Sequence, residues 1–297
     1  MSLTKLSNQF KGADFVTLAA KTKDIIKYFN FEFNKNLGQN FLTDGVALNK
    51  IMDAAGIDDE TFVIEIGAGI GTLTQEMAKR AFKVCAVEID KELVKILKET
   101  LSNFNNVEIV HMDALNFNFN EAVKEYGDKK IMVVANLPYY ITTPILTKIL
   151  TSWKGVNSIT VMVQKEAAQR IMADPSTHEY GPLSITANYY ANVKKAFNVS
   201  RSCFIPQPRV DSQVIKMSIR KKPAAEVYDE KLFFTLIKTS FNMRRKTLLN
   251  VLKTFGLSID ELVEVFNDAE IDSSRRGETL SIDEFADLSN SLKNHMK

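Results

Sequence analysis

An α/β fold with a largely parallel sheet, followed by a smaller all-helical domain, is predicted by three features of the sequence. Short apolar, β-branched runs alternate with helical periodicity from Thr61 to about Ile219. A glycine-rich turn at 67–71 joins the first such run to the helical pattern that follows it. After Pro223 the strand-type runs cease. A chain of 297 residues has room for one large domain and a companion. The boundary is expected near Lys222-Pro223, giving domains 1–222 and 223–297.

Strands are expected at 61–66, 83–87, 107–111, 130–135, 158–163, 194–199 and 213–219. The last two flank a Pro-rich loop, which suits an antiparallel pair at one edge. Helical patterns fill 72–79, 91–101, 143–151, 165–173 and 183–191. In the second domain they fill 229–242, 244–255, 259–266 and 282–292, with Gly256 as a stop. The loop 174–182 is expected beside the target site.

Composition narrows the class. At 45% hydrophobic and 25% charged residues the chain is an ordinary folded protein. Its apolar runs are strand-sized, far short of a membrane span. Lys, Asp and aromatic residues alternate at the N-terminus without a secretory pattern, so a cytoplasmic location is expected. Cys85 and Cys203 form no CxxC, which suits reduced thiols. His111, expected at the end of a buried strand, His178 and His295 have no partner at ligand spacing, so no metal is expected. Net charge is only +2, yet residues 191–256 carry 14 Lys/Arg against 4 Asp/Glu, while 257–297 carry 4 against 10. Such a concentration suits a phosphate backbone; a solvated basic surface is the alternative.

The strongest local signal is Val63-Ile64-Glu65-Ile66-Gly67-Ala68-Gly69-Ile70-Gly71-Thr72. Its glycines let the backbone approach a ligand. A dinucleotide fingerprint wants its third glycine at position 72, where this chain has Thr. Glycine at every second residue favours S-adenosylmethionine, with a dinucleotide site and a plain turn still open. Glu88 ends the next strand, where a carboxylate can accept from both ribose hydroxyls. Asp113 follows the third strand and could accept from an adenine amino group. Glu88 could also be a surface carboxylate.

The fourth strand ends in Ala135-Asn136-Leu137-Pro138-Tyr139-Tyr140. Adenine N6 is a poor nucleophile because its lone pair is delocalised into the ring. The Asn136 oxygen and a backbone carbonyl, accepting both amino hydrogens, would free that lone pair and aim it at a sulfonium methyl group. Pro138 stiffens the turn and Tyr139 offers a stacking face. A proline turn with core tyrosines is the bland reading.

With two further segments, Asn36-Leu37-Gly38-Gln39-Asn40-Phe41-Leu42 and Cys203-Phe204-Ile205-Pro206-Gln207-Pro208-Arg209-Val210-Asp211-Ser212, the chain resembles the ribosomal RNA adenine N6,N6-dimethyltransferase family. The likeness runs from about Thr22 to near the end. It implies a Rossmann-like class I S-adenosylmethionine-dependent methyltransferase sheet. It also implies donor contacts at Asn40, Leu42, Gly67, Glu88, Asp113 and Asn136, with Glu65 and Gly69 beside them. Phe204 would stack on a flipped adenine opposite Tyr139. The implied substrate is a pair of adjacent adenosines in a hairpin loop near the 3′ end of small-subunit (16S) rRNA, in an assembling 30S particle. Residues alone leave 36–42 a helix-entry loop and Phe204 a core side chain.

Phe241-Asn242-Met243-Arg244-Arg245-Lys246-Thr247-Leu248 adds three cations at an expected helix start, where the macrodipole prefers anions. A phosphate ligand explains them, a solvated cluster is the alternative, and the resemblance favours RNA. Arg209 is grouped with them as an RNA contact. A monomer with no membrane partner is expected. The rivals are a large-subunit rRNA adenine methyltransferase conferring macrolide resistance, a non-catalytic ribosome assembly factor and a small-molecule methyltransferase.

Overall fold

The computed structural model describes residues 18–34 and 37–296. Asn36 and the N-terminal stretch read for a secretory pattern lie outside them. The chain divides into two compact units. One holds Lys194–Ile219 and the chain up to Ala168; the other holds Gln169–Val193 and Arg220–Lys297.

The first unit is built on a seven-stranded sheet. In chain order its strands are β2 (Thr61–Ile66), β3 (Lys83–Glu88), β4 (Val107–His111), β5 (Lys130–Asn136), β6 (Val156–Gln164), β7 (Ala191–Val199) and β9 (Ser212–Ile219). Two short strands, β1 (Phe41–Leu42) and β8 (Phe204–Ile205), pair antiparallel as a separate sheet. Helices α1 (Leu18–Tyr28), α2 (Gly45–Ala55), α3 (Thr72–Ala78) and α4 (Lys91–Thr100) come before β4. After it come α5 (Phe119–Ala122), α6 (Thr142–Ser152) and α7 (Lys165–Ile171).

Spatial order in the large sheet is β4-β3-β2-β5-β6-β9-β7. The pairs from β4 to β6 are parallel, and β9 runs antiparallel to β6. β7 and β9 therefore lie side by side at one edge. Every residue of β2 is buried, which explains its unbroken Thr-Phe-Val-Ile-Glu-Ile run: helices cover both faces of a central parallel strand. β4, at the other edge, is only partly covered. His111 at its end is exposed rather than buried, with Nε2 3.1 Å from the Ile89 carbonyl.

The second unit comprises α8 (Pro182–Tyr190), α9 (Glu230–Asn242), α10 (Leu248–Leu252), α11 (Ile259–Asp268) and α12 (Ile282–His295). Capping boxes start α11 and α12, with Ser258–Glu261 and Ser281–Glu284 satisfying the free N–H groups reciprocally. Phe233, Leu236, Ile237, Val251, Leu262 and Phe285 form its core, and α8 adds Ile185 and Tyr189. Residues 169–193 thus group with the helical unit, although Ala191–Val193 also open β7 of the sheet; the sequence reading put the whole segment with the sheet. Helical periodicity marks a buried face without saying which core it enters.

One other expectation is corrected. The cations 244–246 do not open a helix: they occupy the turn after α9, and α10 starts only at Leu248 with Thr247 as its cap. At a helix C-terminus the macrodipole favours cations, so their placement needs no phosphate. The loop 174–182 is tied into the helical unit. Ser176 N donates to the Glu278 carbonyl at 2.8 Å, and the buried Tyr180 hydroxyl donates to the Leu280 carbonyl at 2.9 Å.

Gly277 stands where a Cβ would lie 2.6 Å from the Ser240 Cβ. Gly277→Ala is expected to destabilise the helical unit by roughly 1–3 kcal/mol through overpacking, read as a lower denaturant midpoint at unchanged slope; an unaltered midpoint would contradict this packing.

Candidate active site

Strand order reverses between β2 and β5, with β3 and β4 on one side and β6 on the other. At such a switch point no crossover covers the carboxyl ends of the strands, and a crevice is left for ligand. Parallel register sets Glu65 beside Val134, so Gly67 and Asn136 emerge as neighbours. A cleft of about 890 Å³, part of it open solvent, lies over this edge. Asn40, Leu42, Glu65, Gly67, Gly69, Glu88, Asp113 and Asn136 all line it, as do Pro138 and Tyr139. Residues spread over nearly a hundred positions thus converge on one space.

Gly67 and Gly69 adopt left-handed φ values of 71° and 62°. A Cβ on Gly67 would meet the Pro138 ring at 3.6 Å, and one on Gly69 would press the Phe41 ring at 3.3 Å. Neither place admits a larger side chain without loss. The cleft floor is therefore bare backbone.

Around that floor stand three carboxyl groups in different states. Glu88 is 5% exposed; its Oε2 accepts from Gly69 N at 2.8 Å, and its Oε1 from Ile89 N and Asp90 N, both at 2.9 Å. Burial raises its pKa, and those N–H donors oppose the rise. Asp113 is half-buried and its Oδ1 accepts from Leu115 N at 2.8 Å. Glu65 is 2% exposed and accepts from Thr74 Oγ1 at 2.5 Å. Burial pushes its pKa up to about 8, so the neutral acid prevails at physiological pH.

Asn136 donates from Nδ2 to the Asn40 carbonyl at 2.9 Å, and Asn40 donates from its own Nδ2 to the Gly38 carbonyl at 2.9 Å. With its amino group engaged, the Asn136 amide presents Oδ1 as an acceptor. Tyr139 is half-buried and its hydroxyl is hydrogen-bonded to Ser212.

Phe204 does not line the cleft. It is 3% exposed, lies opposite Leu42 in the β1–β8 pair, and packs with Leu42, Val199 and Val214. The second stacking face expected from it is absent from this arrangement. Arg209 is exposed on the loop after β8, and its carbonyl accepts from Arg201 Nη1 at 3.3 Å.

In the helical unit Arg244 pairs with Glu278 and donates to the His178 carbonyl at 3.1 Å, whereas Arg245 and Lys246 are exposed. The fold also divides the basic stretch 191–256. Five of its cations belong to the sheet unit and nine to the helical unit. The helical unit as a whole holds 14 Lys/Arg against 15 Asp/Glu, so net charge does not mark it as basic.

Sequence reasoning missed Gln39 as a brace. It donates to Asp90 Oδ2 at 2.6 Å and accepts from Asn34 N at 2.7 Å, fastening the segment before β1 to the cap of α4. No periodicity could have revealed that pairing. Cys85 is buried and its thiol pKa is pushed up to about 12 by burial. Among the described residues no group of three or more His, Cys, Asp or Glu is placed to hold a metal ion, and no helix is long and apolar enough to cross a membrane.

The sheet order, with the cleft at its reversal, is the Rossmann-like arrangement of methyltransferases of known structure. A dimethyladenosine transferase from Plasmodium falciparum superposes with a TM-score of 0.71 at 25% identity, covering 84% of this chain and 95% of that one. The 23S rRNA methyltransferase ErmE shares the fold, with a TM-score of 0.65 at 24% identity over 85% of this chain and 99% of its own. Among curated relatives, the ribosomal RNA small subunit methyltransferase A of Clostridium acetobutylicum is 48% identical over 271 residues, 91% of this chain and 98% of that protein. The family model for ribosomal RNA adenine dimethylase matches residues 30–294. The chain belongs to the ribosomal RNA adenine dimethylase family.

The folded pKa of Glu65 lies above its ordinary 4.5, so the stability it contributes is complete below that value and is lost as pH rises through about 8. Glu65→Gln, permanently neutral, should therefore gain thermal stability relative to the parent between pH 5 and pH 9. A difference in Tm that stays flat over that range would show Glu65 to be ionised throughout.

Proposed function

We propose that the protein is a 16S rRNA (adenine-N6,N6)-dimethyltransferase using S-adenosylmethionine. Its substrate is two adjacent adenosines in a hairpin loop near the 3′ end of small-subunit rRNA. The carrying observation is the Asn136 amide, locked by the Asn40 carbonyl with its oxygen left to accept.

The residues present fit the donor. The bare backbone at Gly67 and Gly69 leaves space that a Cβ would fill. Glu88 is held by backbone donors in a fixed pose for a ribose diol, and Asp113 keeps Oδ2 for an exocyclic amine. S-adenosylmethionine bound there would supply a methyl group on a sulfonium, itself an excellent leaving group. Asn136 Oδ1 accepts one N6 hydrogen and a backbone carbonyl the other, which localises the lone pair on nitrogen. The methyl group would come from bound S-adenosylmethionine, its sulfur leaving with the bonding pair as nitrogen takes the carbon, and the surplus N6 proton would pass to solvent. Tyr139 stacks on the base, with its ring held through Ser212. A second round needs one remaining N6 hydrogen for Asn136.

The same reading makes the protein a cytoplasmic monomer acting on an assembling 30S particle, without a metal. Arg209, Arg245 and Lys246 are its RNA contacts, and Arg244, bound to Glu278, shapes the turn that carries two of them.

Incubation with labelled S-adenosylmethionine and unmodified small subunits should yield N6,N6-dimethyladenosine on digestion to nucleosides. Label in large-subunit RNA instead would favour the resistance-type activity, and tight particle binding without transfer an assembly factor. Asn136→Ala should lower turnover by about a hundredfold or more while particle affinity stays within about twofold of the parent; full activity would remove the chemical argument. Arg245→Glu with Lys246→Glu should weaken particle binding and flatten its salt dependence by roughly one to two phosphate equivalents. An unchanged slope would assign both cations to solvent.

A further inference from the structure

Large apolar side chains at the surface are seldom gathered in one place. Three that are exposed here, Ile89 at 42%, Met112 at 41% and Tyr140 at 51%, line the same cleft. Ile89 follows β3, Met112 follows β4, and Tyr140 lies in the short 3₁₀ turn Tyr139–Ile141 after β5. Between β3 and β5 runs β2, whose end brings the left-handed Gly67 and Gly69 to the cleft, with Glu65, Ala68 and Ile70 beside them. Seen along the sheet edge, two apolar side chains stand on one side of a bare floor and an aromatic ring on the other.

Among the polar groups lining the cleft, Glu88 lies next to Ile89 and Asp113 next to Met112 in the chain. Partial burial raises the pKa of the Tyr140 hydroxyl, and the Asp113 and Glu88 carboxylates add to the rise. The Tyr140 ring also comes within 3.7 Å of the place a Cβ would take on Gly38, in the segment whose Asn40 carbonyl orients Asn136. The two tyrosines of one turn are thus tied to different partners: Tyr139 to Ser212, and Tyr140 to the neighbourhood of Gly38, Glu88 and Asp113.

We infer that Tyr140 is a donor-binding residue that closes the nucleoside slot, with Ile89 and Met112 as its facing apolar wall. The inference rests on the proposed use of S-adenosylmethionine. A flat purine with an amine and a ribose diol offers donors to the two carboxylates and a face to the apolar rim. Covering that rim removes its surface from water, which gives the ring a part in affinity. An RNA base in the same slot would put its phosphate next to Glu88 and Asp113, where like charge repels it.

The test uses the full chain and S-adenosylhomocysteine as ligand, followed by calorimetry. Tyr140→Ala should raise its Kd about tenfold and Met112→Asp should weaken it in the same assay, while Tyr140→Phe stays within about twofold of the parent. Affinity for unmodified small subunits, measured without donor, should not change in any of the three. If Tyr140→Ala keeps its S-adenosylhomocysteine affinity, or loses particle affinity instead, the ring faces RNA and the inference is wrong. If the parent itself fails to bind S-adenosylhomocysteine, the donor assignment falls, a result distinct from failure of Tyr140 alone.

Discussion

Parallel pairing of β2 with β5 is the constraint on which the site depends. Those strands are far apart in the chain, and only their register sets the turn after Ile66 against the turn after Asn136. The turn takes φ 71° at position 67, which glycine adopts without strain, and the Pro138 ring lies against it. Shift the register by one residue and Asn136 would point to the other face of the sheet. The Asn40 carbonyl could then no longer hold its amide.

Charge in the cleft is arranged by burial as much as by composition. Three carboxyl groups line one small space, an arrangement that mutual repulsion would oppose if all were ionised. The structure relieves this by burying Glu65 deeply enough to favour its neutral form and by surrounding Glu88 with backbone N–H groups. The group placed nearest the proposed chemistry is an uncharged amide fixed before substrate arrives. A preorganised acceptor of this kind avoids reorganisation at the moment of reaction.

β1 and β8 contribute through connectivity. Their pairing joins the segment that carries Asn40 to the one that carries Phe204, and Thr43 reinforces it by donating twice to the Cys203 carbonyl, from N at 2.8 Å and from Oγ1 at 3.0 Å. Phe204 is consequently a support for Leu42, on the wall of the cleft, and not a ring open to solvent. The helical unit has its own core and a nearly balanced charge, so any RNA contact it makes must come from local groups such as Arg245 and Lys246 rather than from a general field.

The sequence by itself determined the sheet, its parallel character and the glycine turn. Period-two and period-3.6 patterns are local, and so is the need for glycine where φ is positive. It also marked Glu88, Asp113 and Asn136, because residues that end successive parallel strands share one edge whatever their distance in the chain. Only the tertiary structure decided that Phe204 is core, that residues 169–193 join the helical unit, and that Arg244 is bound to Glu278. Each of these turns on which surface a segment packs against, and no local pattern records that. Two-residue strands such as β1 and β8 are too short to show a period. The cations at 244–246 exchanged a helix start for a helix end through a shift of a few residues in one boundary, the feature that local propensity sets least firmly.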